Sequence, residues 1–240
     1  MKSLIRYIFI CVVCFLSSCG LPKNEPVLVA TAASTFYAFQ ELENVYEEET
    51  GKNIELVKAS SGILVTQILQ GAPFDIFISA DTIYSSKVYE SLELEHRAFK
   101  LGENKLCQWA IADAIDFTKI IENKDLKIAI ANPKTAPFGA LAVSYLKQFG
   151  VYEQLESQLV FGNSISQVNH YILSEQVAMA FTSSSSSLAL GEKKESLREC
   201  AEVDALEQGL LLLNDNRNTL DFYKFLKSDK AVVILKKYGF

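Results

Sequence analysis

Residues 27–34 read Val27-Leu28-Val29-Ala30-Thr31-Ala32-Ala33-Ser34. This short apolar run, rich in β-branched residues, stops at a hydroxyl. Phe36, Phe39, Glu43 and Tyr46 then keep a helical interval, so the segment reads as strand, cap and helix. The same grammar recurs at once. Ile54 to Val57 is a second short strand, Ala59-Ser60-Ser61-Gly62 follows it, and Ile63, Leu64, Ile68 and Leu69 fall on a helical spacing. Phe74 to Ser79 is an apolar run closed by Ala80-Asp81, where an aspartate cap opens the next helix. Leu126 to Ala131 leads through Asn132-Pro133 and Pro137-Phe138-Gly139 into a helix expected from about Ala140 to Phe149, and Val177 to Phe181 gives way to Thr182-Ser183 and another helical stretch. Strands alternating with helices predict an α/β protein with largely parallel sheets covered on both faces.

Two stretches read as passages between lobes. Glu103 to Ala112 is an extended run containing Leu106, Trp109 and Ile111, and Gln208 to Leu213 is a second apolar run behind the acidic segment around Glu202 and Asp204. With both crossing, residues 26–104 and 206–240 form one lobe and residues 105–205 the other. The closing helices, 219–227 and 231–238, then pack on the first lobe. No internal repeat is visible, and the one low-complexity run, Ser183 to Ser187, is expected to be a solvated loop or a helix start.

The beginning of the chain reads as a targeting segment. Lys2 and Arg6 give a positive start, Leu4 to Phe15 form an apolar stretch too short for a comfortable membrane span, and Leu16-Ser17-Ser18-Cys19 closes it. Leu-Ser-Ser-Cys resembles a bacterial lipobox, which implies a signal peptide over 1–18, acylation of Cys19 and a lipid-anchored linker over 19–25; a plain signal peptide or short anchor helix is the alternative. Removing residues 1–18 takes away Lys2 and Arg6 but no acid, so the formal net charge of −6 becomes −8. That acidity argues against nucleic acid or an anionic membrane surface as partner. Any anion site must therefore work locally, against an unhelpful overall field. Of five cysteines, Cys11 and Cys14 leave with the signal. Cys107 and Cys200 remain, able in principle to pair outside the cell but read here as two independent small apolar residues. With only His96 and His170, far apart in sequence, no metal-ligand cluster is evident.

The chemistry lies where strands turn into helices. Ser34 and Ser60-Ser61-Gly62 occupy the same place in successive strand–helix units, and Pro137-Phe138-Gly139 and Ser164-Ile165-Ser166 stand at two later helix starts. Each serine alone is explained as an N-cap worth about 1 kcal/mol. Together they present hydroxyls and free helix-start amides without a charged side chain, which suits an oxyanion. A hydrogen bond to a charged group contributes about 1.5–3 kcal/mol, so four or five gross about 6–15 kcal/mol, against about 8 for micromolar binding. Enzyme motifs are missing: there is no Gly-x-Ser-x-Gly elbow, no Gly-x-Gly-x-x-Gly and no phosphate-loop lysine. Asp75 and Asp81 read as strand-end and cap residues rather than a catalytic pair, and His170 as a surface or boundary residue.

Thr31-Ala32-Ala33-Ser34, then Ala59-Ser60-Ser61-Gly62 with Leu64 and Gln67-Ile68, then the long run from Gly71 to Asp81, Asn132-Pro133 with Ala136 to Gly139, Gln176 to Ser183, and the terminal Leu235 to Phe240 resemble, in order, the signatures of the molybdate-binding proteins of ABC transporters. The resemblance covers nearly the whole chain after Cys19. It implies a periplasmic-binding-protein fold of type II: two lobes, each a mainly parallel sheet flanked by helices, joined by two crossovers and closing over molybdate or tungstate. It places serine ligands at Ser34 and Ser61 and backbone-amide donors at Phe138 and Ile165. Where family members offer a tyrosine hydroxyl this chain has Phe181, so either the site works with fewer donors or Thr182 or Ser183 supplies one; Thr182 is the candidate. Also implied are a monomer without enzymatic activity, metal or cofactor beyond the oxyanion, permease and ATPase partners, and an exported protein held to a bacterial membrane by the lipid on Cys19, on the periplasmic or cell-surface side. The rivals are a binder of another tetrahedral oxyanion such as sulfate, an exported enzyme with Ser61 as nucleophile, and a lipoprotein serving only as an interaction module.

Overall fold

The computed structural model describes residues 25–94, 98–113, 115–190 and 197–240. The signal segment 1–18, Cys19 with linker residues 20–24, and His96 lie outside the described residues. In chain order the strands are β1 (Val27–Ala32), β2 (Ile54–Ala59), β3 (Ile76–Ser79), β4 (Ala98–Asn104), β5 (Leu106–Ala110), β6 (Ile128–Ala131), β7 (Leu159–Gly162), β8 (Met179–Ser183), β9 (Leu197–Glu199) and β10 (Leu206–Leu212). The helices are α1 (Phe36–Thr50), α2 (Ser61–Leu69), α3 (Thr82–Ser91), α4 (Phe117–Glu122), α5 (Pro137–Gln148), α6 (Tyr152–Leu155), α7 (Ile165–Leu173), α8 (Ser184–Leu190), α9 (Arg217–Leu226) and α10 (Asp229–Lys237).

The strands form two five-stranded sheets, β2-β1-β3-β10-β4 and β7-β6-β8-β5-β9. Each repeats one plan: three parallel strands, a fourth antiparallel to them, and a fifth antiparallel to the fourth. Four strands of five thus point the same way in each lobe. The reversed strand is in each case a crossover. Only Lys105 separates β4 in the first sheet from β5 in the second, and β9 returns the chain to β10. Because β4 pairs with β10 and β5 with β9, the two passages run side by side.

Burial explains the apolar runs. Every residue of β3 and β6 is buried, as strands covered on both faces require. On one face of the first sheet Phe39, Leu42 and Tyr46 of α1 pack with Phe222 of α9 and Ile234 of α10; on the other, Leu64 and Val65 of α2 pack with Phe77 and Val88. The second lobe has one continuous core, including Ile130, Phe138, Leu146, Val168 and Phe181. Local caps fix several helix starts: Asp81 accepts from the Tyr84 amide at 2.9 Å, Asn216 from Thr219 at 3.0 Å and Ser228 from Ala231 at 3.2 Å. These last two set the closing helices two residues earlier than the apolar periodicity indicates. Pro137 likewise starts α5 ahead of Ala140, since a missing N–H costs nothing at the first helical position.

The serine run differs from a solvated loop. Ser183 ends β8 and the rest opens α8, with Ser183, Ser185 and Ser186 buried. Its hydroxyls are absorbed by the protein: Ser183 donates to Ser186 at 2.8 Å, and Asn104, at the end of β4, donates to Ser185 at 2.6 Å. Cys107 and Cys200 are free thiols, both buried. Among the described residues no helix is long and apolar enough to cross a membrane.

Candidate functional site

The carboxyl ends of β1, β2 and β3 face those of β6, β7 and β8 across the junction of the lobes. Ala32, Ala33 and Ala80 from the first lobe belong to the same packed cluster as Ala136, Phe138 and Ile165 from the second. Direct hydrogen bonds span the junction. The Gly62 amide donates to the Thr135 carbonyl at 2.8 Å, the Tyr84 hydroxyl donates to the Lys134 carbonyl at 3.1 Å, and the Ser185 hydroxyl donates to the Ser34 carbonyl. The cleft is closed.

Ser34 is not the cap that a local reading makes it. Thr35 holds the cap position of α1, and its hydroxyl turns back to the Ala32 carbonyl at 2.9 Å while sharing a hydrogen bond with Thr31 at 2.8 Å. Ser34 is left 3% exposed, with a hydroxyl oxygen that has no hydrogen-bond partner among the described residues. A buried hydroxyl without a partner costs free energy and calls for an explanation outside the fold itself.

Ser61 is the first residue of α2 and fully buried. Its oxygen accepts from the Ala80 amide at 2.9 Å, tying the start of α2 to the end of β3 and leaving its own proton for another acceptor. Ser60 beside it has a second buried hydroxyl without a partner among the described residues.

The second lobe contributes backbone. In α5, Pro137 has no amide hydrogen, and the amides of Gly139 and Ala140 both return to the Ala136 carbonyl at 2.9 and 3.1 Å. Phe138 therefore carries the unpaired N–H of that first turn. Gly139 presses this end of α5 onto β6, since a Cβ there would lie 2.0 Å from the Ala131 carbonyl oxygen. In α7, Gln167 and Val168 both donate to the Ser164 carbonyl at 3.1 Å, leaving the amides of Ile165 and Ser166 without helical partners. The Gln167 side chain accepts from the Asn163 amide at 2.7 Å and steadies the turn.

These donors are neutral. Lys58, at the end of β2, is turned onto the Phe36 ring at 3.9 Å from its centroid, and burial lowers its pKa. Asp81, the cap of α3, follows Ala80 directly; burial raises the pKa of its carboxyl against the pull of the backbone amides it accepts from. Asp75 sits at the opposite end of β3, accepting from the Leu28 amide at 2.8 Å and from Asn216 at 2.9 Å, so the two aspartates do not form a pair.

The Thr182 hydroxyl, expected to supply a ligand donor, is engaged within the protein. Neighbouring strand residues face opposite sides of a sheet. Phe181 accordingly packs against Tyr145 and Phe117, at 5.5 and 6.5 Å between ring centroids, while Thr182 turns toward α7. There its only proton goes to Oδ1 of Asn169 at 2.5 Å. Sequence reasoning missed Asn169, Tyr84, Asn104 and Ser185. Asn169 left a legible trace as a polar residue inside the apolar stripe Ile165, Val168, Ile172; the others depend on contacts between lobes.

Residues 27–240 match the family model described as bacterial extracellular solute-binding protein. The molybdate-binding protein of Rhodobacter capsulatus is 31% identical over 220 residues, spanning 89% of this chain and 87% of that protein. The molybdate-binding protein of Azotobacter vinelandii is 29% identical over 241 residues, spanning 94% and 93%. A solved structure of an Azotobacter vinelandii periplasmic molybdate-binding protein superposes with a TM-score of 0.79 at 24% identity, covering 89% of this chain and 97% of that one, and has the same type II periplasmic-binding-protein fold. The chain belongs to the bacterial extracellular solute-binding protein family and is a relative of proteins that bind molybdate.

Proposed function

We propose that the protein captures molybdate, or the nearly equal-sized tungstate, outside the cytoplasmic membrane and delivers it to the permease and ATPase of an ABC importer without chemical change. The observation that carries this reading is the buried, unpartnered hydroxyl of Ser34 at a closed junction where Ser61 and the first-turn amides of α5 and α7 also offer donors. In this reading Ser34, Ser61 and the amides of Phe138 and Ile165 hold the oxyanion. The lobes are residues 26–104 with 206–240, and residues 105–205. Closure excludes water, and in that drier setting each bond to a dianion strengthens. Hydroxyls and helix-start dipoles satisfy the charge without a lysine, and a neutral lining lets the lobes reopen without parting an ion pair. Residues 1–18 direct export, and Cys19 carries the lipid that keeps the protein at the membrane as a monomer.

Titration calorimetry with molybdate, tungstate, sulfate and phosphate tests the reading. Micromolar or tighter binding of the first two, with the smaller sulfate and phosphate at least about 100-fold weaker, is expected. Tight sulfate binding without molybdate binding refutes the named ligand, and hydrolase activity abolished by Ser61→Ala refutes the class.

A further inference from the structure

Helix α7 buries Ile165, Val168 and Ile172, and within that apolar stripe lies Asn169, only 2% exposed. A carboxamide in such a place destabilises the fold unless both its ends are hydrogen-bonded. One end is held, because Oδ1 accepts the Thr182 proton at 2.5 Å. The other end, Nδ2, is buried and has no partner among the described residues.

Two anchors locate that amide. Helical side chains lean toward the start of their helix and cover the preceding turn, so Asn169, four residues beyond Ile165, reaches back toward the first-turn amides of α7. Thr182 is the penultimate residue of β8, beside the carboxyl edge of the sheet. Both anchors converge where the beginning of α7 meets the end of β8. Ser166 adds a further observation: three residues before Asn169 and adjacent to it on the helix surface, it too has a buried hydroxyl without a partner among the described residues.

We propose that Asn169 is a further neutral donor of the anion site, giving an Nδ2 hydrogen to a ligand oxygen, and that Thr182 is its positioning residue. This rests on the oxyanion reading above. Orientation matters because the opposite turn of the carboxamide would aim a carbonyl oxygen at a dianion. A hydroxyl donating to Oδ1 fixes that oxygen at β8 and leaves the NH2 group for the guest.

Titration calorimetry of the full chain with sodium molybdate tests the assignment. Asn169→Ala should weaken binding by about 10- to 100-fold, the loss of one hydrogen bond to a charged group. Asn169→Asp, of the same shape but carrying a carboxylate, should weaken it further, by about 1,000-fold or more. Thr182→Val should weaken binding by about tenfold, while Thr182→Ser, which keeps the hydroxyl, should restore wild-type affinity. Ligand-free melting temperatures of Asn169→Ala and Thr182→Ser should stay within a few degrees of wild type, so Asn169→Ala decides the matter if the aspartate variant does not fold. Binding by Asn169→Ala within threefold of a wild type that does bind molybdate overturns this inference alone. A wild type that binds none of the tested oxyanions brings down the functional reading and the inference with it.

Discussion

Replacing Gly62 with alanine should separate closure of the cleft from the integrity of its walls. Gly62 is the second residue of α2, and its amide donates across the junction to the Thr135 carbonyl at 2.8 Å. An added Cβ would stand 2.9 Å from that same oxygen, 3.0 Å from Thr135 Cα and 3.0 Å from the Tyr84 hydroxyl oxygen. Tyr84 is itself held across the junction by Lys134, and the other two atoms are backbone, so the lobes must separate by a few tenths of an ångström. Overpacking of this kind costs about 1–3 kcal/mol, and the stretched hydrogen bond adds about 1 kcal/mol. Molybdate affinity should fall by about 2–4 kcal/mol, or about 30- to 1,000-fold. The open protein meets no such clash, and alanine is favoured over glycine inside a helix by about 0.5–1 kcal/mol, so the unliganded variant should be as stable as the parent or slightly more so. Calorimetry reads the affinity, and small-angle scattering at saturating molybdate reads closure: the parent contracts, the variant stays expanded. A Gly62→Ala protein that binds and contracts like the parent would refute the assignment of this contact to closure.

Three further outcomes are expected. Ser34→Ala and Ser61→Ala should each lose about 1.5–3 kcal/mol of molybdate binding, but only Ser61→Ala should lose unliganded stability, by about 1 kcal/mol, because it alone strips the Ala80 amide of its acceptor; equal unliganded melting temperatures would contradict this contrast. Burial pushes the thiols of Cys107 and Cys200 up to about 12, so neither should react with a thiol reagent at pH 8 until the protein is denatured, as a chromogenic disulfide assay with and without urea will record. The Lys237 hydrogen bond, outweighing partial burial and aided by Tyr238, lowers the Glu41 pKa below 4.5. A depressed acid supports the fold above its unfolded value, and that support fades as pH falls through the lower folded value. Glu41→Gln should therefore lose less stability than the parent between neutral pH and about pH 3, measured as the shift of the urea midpoint.

The strand–helix alternation was legible because its signals are local: β-branched runs end at hydroxyl or proline residues that punctuate the backbone. The two crossovers were legible as apolar runs without helical spacing. The reversal of β5 and β10 within their sheets was not, because pairing direction is set by where the chain returns from. At the site, sequence alone marked the helix starts but could not separate Ser34 from Thr35 as a cap, since either hydroxyl suits that place and only the turn back to Ala32 decides. The engagement of the Thr182 hydroxyl was hidden for a similar reason. A hydroxyl beside the expected position looks available until strand alternation turns it toward Asn169. The serine run was legible as a helix start but not as buried, because its burial depends on pairing within the run and on the approach of Asn104 and Ser34 from the first lobe.

The placement of β10 has a consequence for how the molecule is made. It lies between β3 and β4, yet it emerges from the ribosome only after every strand of the second sheet. The second lobe, from Leu106 to Glu199, is contiguous and complete while the first still presents two unzipped sheet borders and an uncovered α1. Unpaired strand borders invite pairing with other chains. A nascent chain halted before Leu206 is thus half finished in an uneven way, with a folded middle and a sticky beginning, and maturation ends when the tail, with α9 and α10, is drawn into the domain that was begun first.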